Sequence, residues 1–127
     1  MSSGEPGLRA RRVATQIRAR LAELLSREVS DPILSGVVVT TVELPDDLSI
    51  ARVKARLLTG GEQEERRRQS VRALERASSR LRRSLGRSLG LKRVPELRFT
   101  YDTGADAAQR VDELLAEIAR DSKQLAK

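Results

Sequence analysis

Residues 49–101 read SIARVKARLLTGGEQEERRRQSVRALERASSRLRRSLGRSLGLKRVPELRFTY, and the periodicities in this stretch decide the fold. From Ser49 to Leu57 the chain alternates. Ala51, Val53, Ala55 and Leu57 point one way, and Arg52, Lys54 and Arg56 point the other, as a half-buried strand requires. Gly60-Gly61 breaks that pattern, and from about Glu62 to Leu89 the period becomes helical. With Arg72 set at zero and about 100° per residue, Arg76, Arg80, Arg83 and Arg87 fall at about 40, 80, 20 and 60°. Val71, Leu74, Ser78, Leu81, Leu85 and Leu89 fall between about 180 and 260°. A five-arginine stripe therefore lies opposite a leucine stripe. Gly86 and Gly90 loosen the end of the helix. After Val94-Pro95, Glu96 to Tyr101 alternates again, with Leu97, Phe99 and Tyr101 on one face. Strand, helix and strand in this order predict a right-handed parallel crossover.

Upstream, Val37 to Leu44 is a second β-rich run. Pro45-Asp46-Asp47 is a turn in which proline presets φ and aspartate bonds its own backbone, so the two runs form a hairpin. Before them, Leu8 to Val29 places Val13, Ile17, Leu21, Leu24 and Leu25 at helical spacing, and Ser30-Asp31-Pro32 ends that helix. Downstream, a last helix is predicted over about Ala105 to Arg120, with Val111, Leu114, Leu115 and Ile118 as its apolar face and Thr103 as N-cap. The expected fold is α+β, in the order α-β-β-α-β-α. A three-stranded mixed sheet would carry helices on one face and Arg52, Lys54 and Arg56 on the other. Residues 8–121 form one domain in this reading, between a flexible lead (1–7) and a flexible tail (122–127).

The 127 residues include no His and no Cys, which removes imidazole acid–base chemistry, thiol nucleophiles, disulfides and the usual zinc and iron–sulfur ligands. Phe99 and Tyr101 are the only aromatic residues, so the core must be aliphatic and base-stacking platforms are nearly excluded. No apolar run approaches the roughly 20 residues of a membrane span, and no signal-peptide h-region is visible. A cytoplasmic protein with no membrane partner is expected. The net charge of +7 is unevenly spread: residues 66–98 hold twelve basic and two acidic groups, while residues 31–65 hold three basic and seven acidic ones. Most of the basic residues are arginine, which suits bidentate contact with phosphate but which a GC-rich genome would also favour.

No catalytic constellation emerges. The glycines match neither GxGxxG nor GxxxxGK[ST], and no GxSxG elbow occurs. Asp46-Asp47 sits in a turn, Glu62, Glu64 and Glu65 in the first turn of a helix where its dipole favours acids, and Asp112-Glu113 on a solvated helix face. No metal site or cofactor is expected, and no enzymatic activity; a metal-dependent nuclease using Glu43, Asp46 or Asp47 is the enzyme alternative. The arginine stripe is the stronger signal. A solvated helix face normally mixes signs at i,i+4, yet Arg72, Arg76, Arg80, Arg83 and Arg87 are all positive, and Glu75 is the only acid between residues 66 and 95. Such a stripe makes sense where a polyanion supplies the counter-charge. Lys92 and Arg93 extend it. The row Arg52, Lys54 and Arg56 is a weaker candidate, because basic residues also protect exposed strands from edge pairing. A general DNA-binding or nucleoid-type protein is the main alternative, and a membrane-surface helix, lacking interfacial Trp or Phe, a lesser one.

Several segments carry a resemblance. Arg12-Val13-Ala14-Thr15-Gln16-Ile17, Arg27-Glu28-Val29-Ser30-Asp31-Pro32, Val39-Thr40-Thr41-Val42-Glu43-Leu44 with Asp47-Leu48-Ser49, Arg93 to Asp102 (RVPELRFTYD) and Arg110-Val111-Asp112-Glu113-Leu114-Leu115 are similar, in order, to the ribosome-binding factor A family. The resemblance covers about residues 9–118 and implies a type II KH-like domain. It also implies an RNA-binding assembly factor that associates with free 30S small subunits and assists late maturation of 16S rRNA, including its 5′ end, notably in cold adaptation. Ribosomal proteins and an assembly GTPase are possible further partners, and a monomer is expected. The family replaces the Gly-rich KH loop by an Ala-x-Gly interhelical kink, with which Ala77-Ser78-Ser79 aligns. Ser79 thus stands where the family has glycine. The kink is expected here, either shallower or made through serine back-bonding.

Overall fold

A computed structural model describes residues 6–27 and 31–125 of the chain. Alternation in the strands and a 3.6 period in the helices give α1 (Leu8–Arg27), β1 (Val37–Glu43), β2 (Ile50–Leu57), α2 (Glu64–Leu89), β3 (Glu96–Tyr101) and α3 (Thr103–Leu125), with a 3₁₀ turn at Pro32–Gly36. β2 is the central strand, antiparallel to β1 and parallel to β3. Ala51, Val53, Ala55 and Leu57 are buried while Arg52 and Lys54 are exposed, so the alternation read from the sequence sets the two faces of the sheet. α1 packs over β1 and α2 over β3, on the same face, and they touch each other. Ile17, Leu21 and Leu24 of α1 meet Leu74, Leu81 and Leu85 of α2 in one aliphatic core that includes Phe99.

The buried side of α2 is broader than the leucine stripe. Ser70, Ala73 and Ala77 are buried as well, and Val71 and Ser78 are half-buried at its other margin. Small side chains here let the helix lie close to its neighbours. Ser70 spends its hydroxyl within the helix, donating to the Arg67 carbonyl at 2.7 Å.

Four expectations are corrected. First, α2 runs unbroken from Glu64 to Leu89, with Ala77, Ser78 and Ser79 inside it, and Leu48 is the only non-glycine with positive φ among the described residues. The helix is not interrupted where the interhelical kink is expected, and Ser79 does not take a left-handed φ. Serine is only about 0.5 kcal/mol poorer than alanine in a helix, too little to interrupt one anchored on both sides by Ala73, Leu74, Leu81 and Leu85. Second, α3 is capped by Asp102, whose Oδ1 accepts the Ala105 N–H at 2.9 Å, and Thr103 is the first helical residue. Third, α3 continues past Arg120 to Leu125, so residues 122–125 are helical, not a tail. Fourth, Val111, Leu114, Leu115 and Ile118 are each more than half exposed. They do not join the core, because α3 leaves the sheet at the end of β3 and meets the body mainly at β2. The lead expected over residues 1–7 lies outside the described residues up to Glu5, and Gly7 donates its N–H to Asp46. The predicted end of the first helix at Val29 and the last two tail residues also lie outside them.

The seating of α2 sets the expected stability of three variants. Leu81 is 2% exposed, and Leu81→Ala is expected to cost about 2–5 kcal/mol through transfer and cavity terms. Arg80→Ala, one position away and exposed, should stay within about 0.5 kcal/mol of wild type in the same urea titration. Because Ser79 is in regular helix, Ser79→Gly should destabilise by about 0.5 kcal/mol, measured as a lower Tm.

Candidate nucleic-acid interface

Burial of one side of α2 turns the other outward. Arg72, Arg76, Arg80, Arg83 and Arg87 all lie on that outward side, with their charged ends toward solvent. Four of them, Arg72, Arg80, Arg83 and Arg87, make no ion pair with any described residue, and Arg76 reaches Asp31 at 3.5 Å with its side chain still 60% exposed. An exposed pair of that kind is weak and easily exchanged for another anion. The outer surface of α2 is thus a line of guanidinium groups over about four turns, four of them without an ion pair among the described residues, and their planar forks match phosphate oxygens.

Lys92 and Arg93 are exposed in the connection between α2 and β3. Gly90 ends the helix in the left-handed conformation at φ 63°, which turns the chain back. Two features that the periodicity could not reveal then hold the connection. Arg82 donates from Nε to the Pro95 carbonyl and from Nη2 to the Val94 carbonyl, both at 3.0 Å. At Gly86 an added Cβ would lie 2.8 Å from Val94 Cγ2, so the connection sits against the helix where no side chain intervenes.

The second basic row lies elsewhere. Arg52 and Lys54 project from the sheet face opposite the helices. The register adds Arg98 to this face, beside Arg52, but also brings acids to it. Glu43 faces Arg52 across the hairpin, Glu96 lies 3.4 Å from Arg98, and the charge of Lys54 favours the ionised Asp102. Arg56 is half-buried and donates to Gln109 Oε1 of α3 and to the Leu57 carbonyl. Mixed charge and internal bonding make this face a weaker match to a polyanion than α2. Arg67 is also withdrawn from any interface: its guanidinium lies 5.7 Å from the centre of the Tyr101 ring and donates to the Gly61 carbonyl at 2.8 Å.

The carboxylates have local structural work. Asp47 accepts from the Ser49 hydroxyl at 2.7 Å and from its N–H at 3.0 Å, which lowers its pKa and holds the hairpin turn. Asp31 caps the 3₁₀ turn through the Ile33 N–H. No group of three or more potential metal-ligating side chains is assembled among the described residues, and no helix there is long and apolar enough to cross a membrane.

Asp102 joins the sheet to α3. β1 shifts register between Val39 and Thr41, and the Thr40 hydroxyl bonds Asp102 Oδ2 at 2.6 Å beyond the central strand. That bond lowers the Asp102 pKa most, followed by the Ala105 N–H, with nearby Lys54 adding to them. A carboxyl held below its ordinary value near 3.8 stabilises the fold above that value and stops doing so as pH falls through its lowered folded value. The stability advantage of wild type over Asp102→Asn should therefore be full at neutral pH and shrink as pH falls below about 4, measured by urea unfolding across a pH series.

Comparison with known proteins agrees with this architecture. The family model for ribosome-binding factor A matches residues 9–115. Ribosome-binding factor A of Sorangium cellulosum is 49% identical over 110 residues, covering 87% of this chain and 88% of that protein. The Hydrogenovibrio crunogenus protein of the same name is 36% identical over 115 residues, covering 91% and 95%. Among solved structures, the crystal structure of ribosome-binding factor A from Thermus thermophilus superposes with a TM-score of 0.61 at 30% identity, covering 72% of this chain and 94% of that one. A second T. thermophilus structure, a homology model fitted into a cryo-EM map of a 30S complex of that protein, gives 0.55 at 32% identity, covering 68% and 88%. The shared arrangement of two helices on one face of a three-stranded mixed sheet is the type II KH-like fold. With the match spanning nearly every described element, the chain belongs to the ribosome-binding factor A family.

Proposed function

We propose that this protein is a non-catalytic RNA-binding assembly factor that associates with free 30S subunits. It lays the outer face of α2 on 16S rRNA and assists late maturation of that RNA, including its 5′ end. The observation that carries this reading is the row of outward arginines with almost no protein counter-charge. Side by side on one helix they repel one another; a row of phosphates relieves that repulsion, and the arginines release the counterions condensed on the nucleic acid. The T. thermophilus relative fitted into a 30S complex supports the same class of partner.

Contacts of arginine with phosphate position a protein without reading sequence. Specificity then comes from the shape of the folded RNA and from ribosomal proteins beside it. Arg72, Arg76, Arg80, Arg83 and Arg87 form the main contact, Lys92 and Arg93 extend it, and Arg52, Lys54 and Arg56 are secondary. The protein acts as a cytoplasmic monomer in this reading.

Sedimentation of a lysate through a sucrose gradient tests the partner. Co-migration with free small subunits is expected; co-migration with nucleoid or membrane overturns the reading. Salt dependence tests the interface. On a duplex, log affinity falls with log salt by roughly 0.9 per neutralised phosphate. Changing Arg76, Arg80 and Arg83 together to Ala should weaken binding to a 16S rRNA transcript and flatten that slope by up to about three contacts' worth. An unchanged slope would show that the stripe is only solvated.

A further inference from the structure

Arg82 lies within the arginine-rich helix but outside its stripe, at about 280° on the scale that puts Arg72 at zero. It is half-buried, and two of its nitrogens are committed to the adjacent carbonyls of Val94 and Pro95, each at 3.0 Å. Gly86, at about 320°, supplies the second contact, because only a glycine leaves room there for Val94. The connection between α2 and β3 is therefore seated along the flank of the helix that borders the stripe, and Lys92 and Arg93 are exposed on it.

From this geometry we propose that Arg82 is a positioning residue and not an RNA ligand, and that Arg82 with Gly86 fixes the connection so that Lys92 and Arg93 continue the cationic surface of α2. The chemistry requires arginine. A planar guanidinium directs two N–H groups at two carbonyls in a fixed fork, whereas an ammonium is a compact point charge on a flexible stem. Seating the connection also removes part of the conformational entropy that Lys92 and Arg93 would otherwise lose on meeting phosphate. The proposal rests on the RNA-binding reading above, and it names the residues that shape one end of that interface.

Two variants that preserve net charge test it: Arg82→Lys, which loses the fork, and Gly86→Ala, which pushes Val94 away. A 16S rRNA transcript is the probe, titrated over a salt series well below the Tm of each variant. Both variants should bind more weakly, with a salt slope shallower by up to two contacts, roughly 0.9 each on a duplex. Backbone NMR order parameters at Leu91, Lys92, Arg93 and Val94 should fall in both. In a background carrying Lys92→Ala and Arg93→Ala, neither variant should weaken binding further. Equal losses in both backgrounds would mean that Arg82 touches RNA itself, or that α2 is disturbed, and would overturn the proposal. Unchanged slopes in the folded variants would overturn it too, as would unchanged order parameters, which are read without RNA. Failure of the wild-type protein to bind the transcript would instead overturn the RNA-binding reading, while the order parameters would still decide whether the clamp exists.

Discussion

Burial of Leu74, Leu81 and Leu85 against the sheet fixes the rotation of α2, and the functional surface depends on that rotation. A helix has only one rotational degree of freedom once its axis is placed. Removing three leucines from water is worth several kcal/mol, whereas the outward arginines, already solvated, exert little torque. The core therefore decides where the arginines point. The central strand β2 takes the other side of the same constraint, since Ala51, Val53, Ala55 and Leu57 add a low, aliphatic floor to the core that α1 and α2 share.

Electrostatics separates the two basic rows that composition alone would group together. On α2 the like charges stand with few acids near them, so the local potential is high and an anionic partner gains most by approaching there. On the open face of the sheet, Glu43, Glu96 and Asp102 are interleaved with Arg52, Arg98 and Lys54 by the strand register. Cross-strand neighbours of opposite sign stabilise a sheet modestly and lower its attraction for polyanions. The same residue type thus serves three purposes in one small protein. Arg72 and its stripe offer charge, Arg82 holds backbone carbonyls, and Arg67 covers the Tyr101 ring.

Asp102 has a comparable architectural role at the other end of the sheet. Its carboxylate receives the bulged Thr40 of β1 and the first turn of α3, so the edge strand, β3 and the last helix meet at one charged group. Beyond that anchor α3 carries Val111, Leu114, Leu115 and Ile118 on an exposed side.

By itself the sequence determined the strands, the core-facing residues of β2 and β3, the existence and facing of α2, and the family. All of these depend on local periodicity or on runs of contiguous residues, and Ala51-Arg52-Val53-Lys54-Ala55 or Arg76-Ala77 through Arg83 can be read without knowing what they touch. The boundary errors were of the same local kind: Asp102 and Thr103 are both competent caps, and only the partner bond from Thr40, 62 residues away, shows which one is engaged with the sheet. Tertiary structure alone decided which cations are free. Arg82 and Arg83 are indistinguishable in composition, yet one meets two carbonyls of a connection 12 and 13 residues away and the other meets solvent. The uninterrupted course of α2 through Ser79 and the uncovered apolar side of α3 were likewise outside the reach of the sequence. Propensity differences of a few tenths of a kcal/mol are overridden by packing, and an amphipathic pattern states that a face is apolar without stating what, if anything, lies against it.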